Sequence, residues 1–329
     1  MRMINLLVYF FVSFCYLSAQ QFVSVDVFPD KKYFAYPNSK SVYQMDLDGF
    51  MKEYSKLIPE SVKTTDVPRP KIRMDRVWYS DGAKIYNRPL DAKGNAKWES
   101  LALPKGIMHF SDFDIISENE AVICGAHFDN SDGKKEILDI HFVFDYSTGK
   151  IIKTLESFDH AFVENVKNLA KTRTRMPTKM FFDSLLKTQS YICMFAPYLL
   201  IVPKTGNVII YDIGTRKERK IEIIPSKELP SDPEKVINGG ESIPWVGPLG
   251  GEKVLLSCRM DAPKSDKPNE HTTIYVFRTL DLRTGQVKLH GTEYMGQKDA
   301  LDPYFEHSGK LISTKEFLKN KGFFQPLPW

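Results

Sequence analysis

The chain has 329 residues, of which 42% are hydrophobic and 26% charged, and its formal net charge is +4. Apolar residues in that amount, dispersed along the chain, suffice for a core and exclude a disordered protein, a collagen-like repeat and a polytopic membrane protein. The positive surplus is small and spread over both halves, so no nucleic-acid partner is expected.

The first element is a leader. Met1-Arg2 is followed by Ile4, the run Leu6 to Val12 and Phe14, then Ser18-Ala19-Gln20, with no further charge before Asp26. A basic start, a short apolar run and small residues before a polar stretch form a secretory signal peptide over residues 1–20, cut after Ala19 or Gln20. The alternative is an uncleaved anchor, but the apolar run ends by Leu17, short of the ~20 residues that span a bilayer. The expectation is a secreted or periplasmic chain with no stable membrane insertion after cleavage. A lipoprotein signal at Cys15 is disfavoured by the bulky Phe14 before it. Cys124, Cys193 and Cys258 remain, widely spaced, and read as buried small hydrophobes within strands, with one bridge left open. There is no zinc spacing, and the absence of any Asn-x-Ser/Thr site suits a bacterial exported protein.

One phrase then recurs five times: an apolar strand, Asp, a short polar turn with Gly, and another strand. The copies centre on Asp46-Leu-Asp-Gly49, Asp91-Ala-Lys-Gly94, Asp145-Tyr-Ser-Thr-Gly149, Asp212-Ile-Gly214 and Asp281-Leu-Arg-Thr-Gly285. In a hairpin, Asp caps the turn through its side-chain oxygen and Gly accepts a positive φ that other residues resist. Successive Asp positions lie about 45 to 70 residues apart, room for a four-stranded sheet per hairpin. Between the hairpins, Val122–Ala126, Tyr191–Phe195, Tyr198–Val202 and Val254–Cys258 are short apolar runs of the kind covered on both faces. Asp139 to Asp145 alternates instead, which predicts that Asp139, His141 and Asp145 share a wet face.

The Asp-x-x-Gly-x-x-x-Trp copy ending at Trp98 and the Asp-x-x-Thr-Gly copies at Asp145 and Asp281 resemble the turns of quinoprotein-type bacterial propeller repeats. Tyr211-Asp212 is similar to the kelch type. The resemblance covers only the hairpins and fits no subfamily, because four copies lack the closing Trp and other propeller signatures are missing. It implies an all-β fold, a β-propeller of five or six blades in one domain over residues 21–329, with one helical insertion at about 159–187. A ring favours closure by its termini, so Leu311-Ile-Ser-Thr and the apolar tail 323–329 are expected to dock, and strands from them added to the first sheet would complete a sixth blade.

The insertion carries Lys171, Arg173 and Arg175, either a solvated basic turn or a flap whose cations meet an acidic partner. Trp245 lies in the Gly- and Pro-rich stretch 238–251, read as a loop that holds either a binding anchor or a plug. Asp46–Gly49 and His127–Gly133 concentrate oxygen ligands, but neither continues to the Glu of a calcium loop, and turn chemistry accounts for both. The seven histidines form no metal motif, and no nucleophile elbow, phosphate loop or dinucleotide fingerprint occurs. No metal or cofactor is expected. A propeller glycosidase needs carboxylates converging at the central channel, which sequence does not show; Asp112, Asp114 and Glu118, before the strand at Val122, are placed where such groups could lie, although acids at strand entrances are more often ordinary turn residues. The expected function is a non-catalytic binding or scaffolding module for a protein or carbohydrate ligand, with the catalytic question open but leaning against. The alternative is a carbohydrate-active hydrolase or lyase, favoured if three or more ionisable side chains gather at the mouth of a central channel.

Overall fold

Short apolar runs with no polar face, bounded by turn residues, suit strands sandwiched between neighbouring sheets. In the computed structural model that is how they are used. It describes residues 24–35, 42–46, 51–54, 57–58, 70–81, 83–92, 96–105, 107–129, 136–155, 191–202, 207–224, 242–263, 271–293, 304–307 and 310–313. Every regular element among them is a strand. The leader, the expected helical insertion and the tail 323–329 lie outside the described residues.

The strands form five units of four, each antiparallel and in chain order, and the first and fourth units join through their first strands, paired in parallel, into one eight-stranded sheet. The first is β1 (Ser24–Val27), β2 (Lys31–Ala35), β3 (Val42–Asp46) and β4 (Met51–Tyr54). The second is β5 (Lys71–Arg73), β6 (Arg76–Ser80), β7 (Ile85–Pro89) and β8 (Glu99–Ser100). The third is β9 (Ile107–Ile115), β10 (Glu120–Asp129), β11 (Glu136–Asp145) and β12 (Lys150–Leu155). The fourth is β13 (Tyr191–Phe195), β14 (Tyr198–Val202), β15 (Asn207–Asp212) and β16 (Lys217–Glu222). The fifth is β17 (Ser242–Gly250), β18 (Lys253–Pro263), β19 (His271–Asp281) and β20 (Val287–Glu293), followed by a separate pair, β21 (Tyr304–His307) and β22 (Lys310–Ser313). All five recurring phrases join the third and fourth strands of a unit.

Two-residue periodicity stacks the units face to face. On β13, Ile192 and Met194 pack with Val122, Cys124 and Val143 of the third unit, while Cys193 and Phe195 pack with Val254, Leu256 and Cys258 of the fifth. On the third unit, Ala121, Ile123, Phe142 and Phe144 turn the other way, onto Trp78 and Ile85 of the second. Tyr33 and Val42 of the first unit meet Ile72 and Val77 of the second. Serial stacking of four-stranded sheets, with first strands that meet at one axis, is a β-propeller. Cys124, Cys193 and Cys258 are buried within strands, as expected.

The hairpins show why Asp recurs. The Oδ1 atoms of Asp145, Asp212 and Asp281 accept the backbone N–H of Ser147 at 2.8 Å, Thr215 at 3.0 Å and Thr284 at 2.7 Å. The residue four places after Asp takes the left-handed conformation: Gly149 at φ 72, Gly285 at φ 77 and, in the fourth unit, Arg216 at φ 57 rather than the expected Gly214. A Cβ at Gly149 would lie 2.9 Å from the Leu103 carbonyl oxygen, whereas at Gly251, φ 59, nothing stands within 4 Å. Gly149→Ala is therefore expected to cost about 2 kcal/mol or more, and Gly251→Ala about 1 kcal/mol, in urea unfolding.

Three expectations are corrected. The first unit takes all four strands from residues 24–54, and β21 and β22 pair with each other instead of completing it. Residues 242–250 are a strand, not a loop; Pro244 and Pro248 are tolerated because β17 is an innermost strand paired on one side, by β18. His141 is fully buried, because β11 is covered on both faces.

Candidate functional site: an ion cluster on the inner strands

The first strands of the units carry charge in alternation with apolar anchors. On β5, Ile72 enters the seam with the first unit, so Lys71 and Arg73 take the opposite side. On β9, Phe113 and Ile115 enter the seam with the second unit, so Asp112 and Asp114 do the same. Asp26 comes from β1. All five side chains are buried, with relative exposures between 0% and 9%.

Arg73 is the hub. Its Nε donates to Asp114 Oδ1 and its Nη2 to Asp114 Oδ2, both at 2.9 Å, a bidentate pair. The same Nη2 donates to Asp26 Oδ2 at 2.6 Å, and Nη1 to the Ile72 carbonyl at 2.8 Å. The guanidinium also lies over the Phe28 ring, 4.9 Å from its centroid. Lys71 Nζ stands 3.2 Å from Asp114 Oδ2 and 3.5 Å from Asp112 Oδ1. The remaining carboxylate oxygens serve the edge of β13 that faces away from β14: Ile192 N–H donates to Asp112 Oδ2 at 2.8 Å and Met194 N–H to Asp26 Oδ1 at 3.0 Å. Innermost strands leave N–H groups facing the axis, and here carboxylates from the first and third units satisfy them.

Burial alone would raise the Asp26 pKa, but Arg73, Lys71 and the Met194 N–H outweigh it and hold the carboxyl below its ordinary range. Burial would lower Lys71, but Asp112, Asp114 and Asp26 outweigh it and raise the ammonium. Arg73 is raised by the same balance, with Asp114 and Asp26 as the opposing charges. A glycosidase acid needs a raised carboxyl pKa, and a lysine nucleophile needs a depressed one. Asp26 and Lys71 move the opposite ways, and every oxygen of the three carboxylates already accepts a donor from a cation or a backbone N–H.

The criterion of three or more ionisable groups near the axis is thus met in number, but not at an open mouth. The groups are sealed and committed to one another. Of the residues singled out from the sequence, Asp112 and Asp114 join the cluster, while Glu118 is exposed in the turn between β9 and β10. Trp245 stands on β17 with its backbone opposite Ser257. Lys171, Arg173 and Arg175 lie outside the described residues, as do 47–50 and 130–135 of the two oxygen-rich loops. Asp26, Lys71 and Arg73 escape sequence reasoning; their signal is a charged-apolar-charged alternation in a strand that opens a unit, as in Lys71-Ile72-Arg73. Among the described residues no group of three or more His, Cys, Asp or Glu could hold a metal ion.

Fold and axial cluster define a β-propeller repeat protein. No family model matches the chain, and no curated protein matches it. Among solved structures it is similar to the WD40 domain of Pan2 from Neurospora crassa, at 10% identity and a TM-score of 0.39, over 83% of this chain and 65% of that one. It is similar to BamB from Moraxella catarrhalis, at 12% identity and a TM-score of 0.33, over 83% and 65%. A third likeness is to streptogramin B lyase, at 9% identity and a TM-score of 0.36, over 84% and 85%. The chain spans less than two thirds of the Pan2 and BamB chains. The fold assignment rests on the sheet order and packing described above.

Proposed function

We propose that this chain is an exported, non-catalytic propeller that binds a protein ligand. The observation that carries the reading is the saturation of the axial cluster, which leaves it no available base, acid or nucleophile. Rigid sheets with long connections make a platform for recognition. In every unit the first-to-second and third-to-fourth turns share one end of the sheet, while successive units are linked from the other end. The segment holding Lys171, Arg173 and Arg175 runs from the end of β12 to the start of β13, so it is tethered at that second end. Cations there suit an acidic partner. The leader over residues 1–20 delivers the chain to a secreted or periplasmic location.

The test is in-cell photo-crosslinking from a probe at residue 171. A protein adduct is expected in the exported fraction, with the mature chain beginning at residue 20 or 21. The triple charge reversal of Lys171, Arg173 and Arg175 to Glu should lose the adduct without shifting the melting temperature. Retention of the adduct in the reversed chain would refute the assigned surface. Turnover of a polysaccharide that Asp114→Asn abolishes while the chain stays folded would establish the carbohydrate-active alternative.

A further inference from the structure

Beyond the five units of four, one pair of strands is left over. β21 and β22 are antiparallel, joined by the two-residue turn Ser308-Gly309, and they follow the fifth unit in the chain. β21 lies against β17, the innermost strand of that unit. In each unit a turn leads outward from the first strand to the second, so the pair has the form of the inner half of a further unit. The fifth unit is covered where such a neighbour would stand. Val254, Leu256 and Cys258 turn towards the fourth unit, while Leu255, Ser257 and Phe277 take the opposite face and are buried as well. Ser257 Oγ, buried there, has no hydrogen-bond partner among the described residues, a gap that the layer over that face is placed to fill.

What the half unit lacks is outer strands. The second strand of every complete unit is paired on both sides, whereas β22, among the described residues, is paired only by β21. Residues 314–329 follow it, and they carry a sixth copy of the recurring phrase: Phe317-Leu318, then Asn320-Lys321-Gly322, then Phe323-Phe324. The spacing is that of Asp212-Ile213-Gly214, with Asn in place of Asp, and an Asn side-chain oxygen accepts turn N–H groups in the same way. Gly at the end of a three-residue loop supplies the left-handed residue that turns the chain back as a hairpin. Pro326 and Pro328 come next; proline has no N–H to donate and within a sheet suits a strand with an unpaired edge, as an outermost strand has. We infer that the free edge of β22 is the docking site for the end of this same chain: residues 316–319 pair with β22 as a third strand, and residues from 323 onward fold back as a fourth. The ring then has six units, and the apolar end of the chain is held in a sheet instead of being presented to a partner. Docking also removes an open row of N–H and C=O groups that would otherwise invite pairing with another chain.

Native-state hydrogen exchange of the whole, unaltered protein tests this, because it reads protection segment by segment. Amides of 316–319 and of β22 are expected to exchange at least about a hundredfold slower than in an unstructured chain, by the same factor at every protein concentration. A chain ended after Lys315 should lose at least about tenfold of the protection of β22 while β14 keeps its own. Exchange of 316–319 at the unstructured rate in the unaltered protein would overturn the inference, and that comparison needs no variant to fold. So would unchanged protection of β22 in the shortened chain. Protection of 316–319 that appears only as dimers form would overturn it by placing the tail on a second copy, and protection that appears only when another protein is added would do so by placing it on a partner.

Discussion

Arg73→Met is expected to lower folding stability by about 3–5 kcal/mol, read as a fall in the urea midpoint without a change of slope. Methionine fills much of the volume, so the loss is electrical. Asp114 would keep only Lys71 as a cation, and Asp26 would keep only the Met194 N–H. A buried carboxylate without its partner retains the full cost of leaving water. The Trp78 indole N–H, which donates to the Arg73 carbonyl at 3.0 Å, is untouched by this change, so tryptophan fluorescence reports unfolding and not loss of that contact. Lys71→Met should cost less than Arg73→Met, because Lys71 meets its carboxylates at 3.2 and 3.5 Å and without the bidentate geometry.

The second large effect is a dependence on pH carried by His141. Burial pushes its imidazole from 6.5 down to about 3, so it stays neutral in the folded chain. The unfolded chain binds a proton there below pH 6.5 and the folded chain does not until about pH 3. Stability therefore falls as pH drops through that window, by about 1.4 kcal/mol per unit and about 4 kcal/mol between pH 7 and 3.5. His141→Phe should remove that slope, measured as urea midpoints across the window. Asp26 acts at lower pH with the same sign. Its folded pKa is depressed, so its contribution is complete above its ordinary value of 3.8 and is lost as pH falls through the folded one.

What the sequence reveals divides along local and distant interactions. The hairpins are legible because both signals, an Asp that accepts N–H bonds two or three residues on and a residue able to hold a positive φ, act within one turn. The exception is instructive: Arg216 holds the left-handed place in the fourth unit, where local preference points to Gly214. Its strain accompanies an ion pair to Glu120 of the third unit, a contact no turn rule contains. Trp245 shows the reverse fault, since glycine and proline normally mark loops but are also at home on a strand with one unpaired edge. Asp112 and Asp114 lie within β9 and not in a turn as acids at a strand entrance usually do, and their chemistry depends on partners 41 and 43 residues away in Arg73 and Lys71. Asp26 reaches Met194 across 168 residues. No spacing rule spans such separations, and without the cations the carboxylates read as catalytic candidates when they are counter-ions.

The most direct measurement is a double-mutant cycle of Arg73→Met with Asp114→Leu. If the sheets meet about one axis and these two side chains neutralise each other there, the double variant should be more stable than the sum of the single losses implies, by about 2 kcal/mol or more. Losses that add to within about 0.5 kcal/mol would show that the two residues do not meet. The inner strands would then not converge as described.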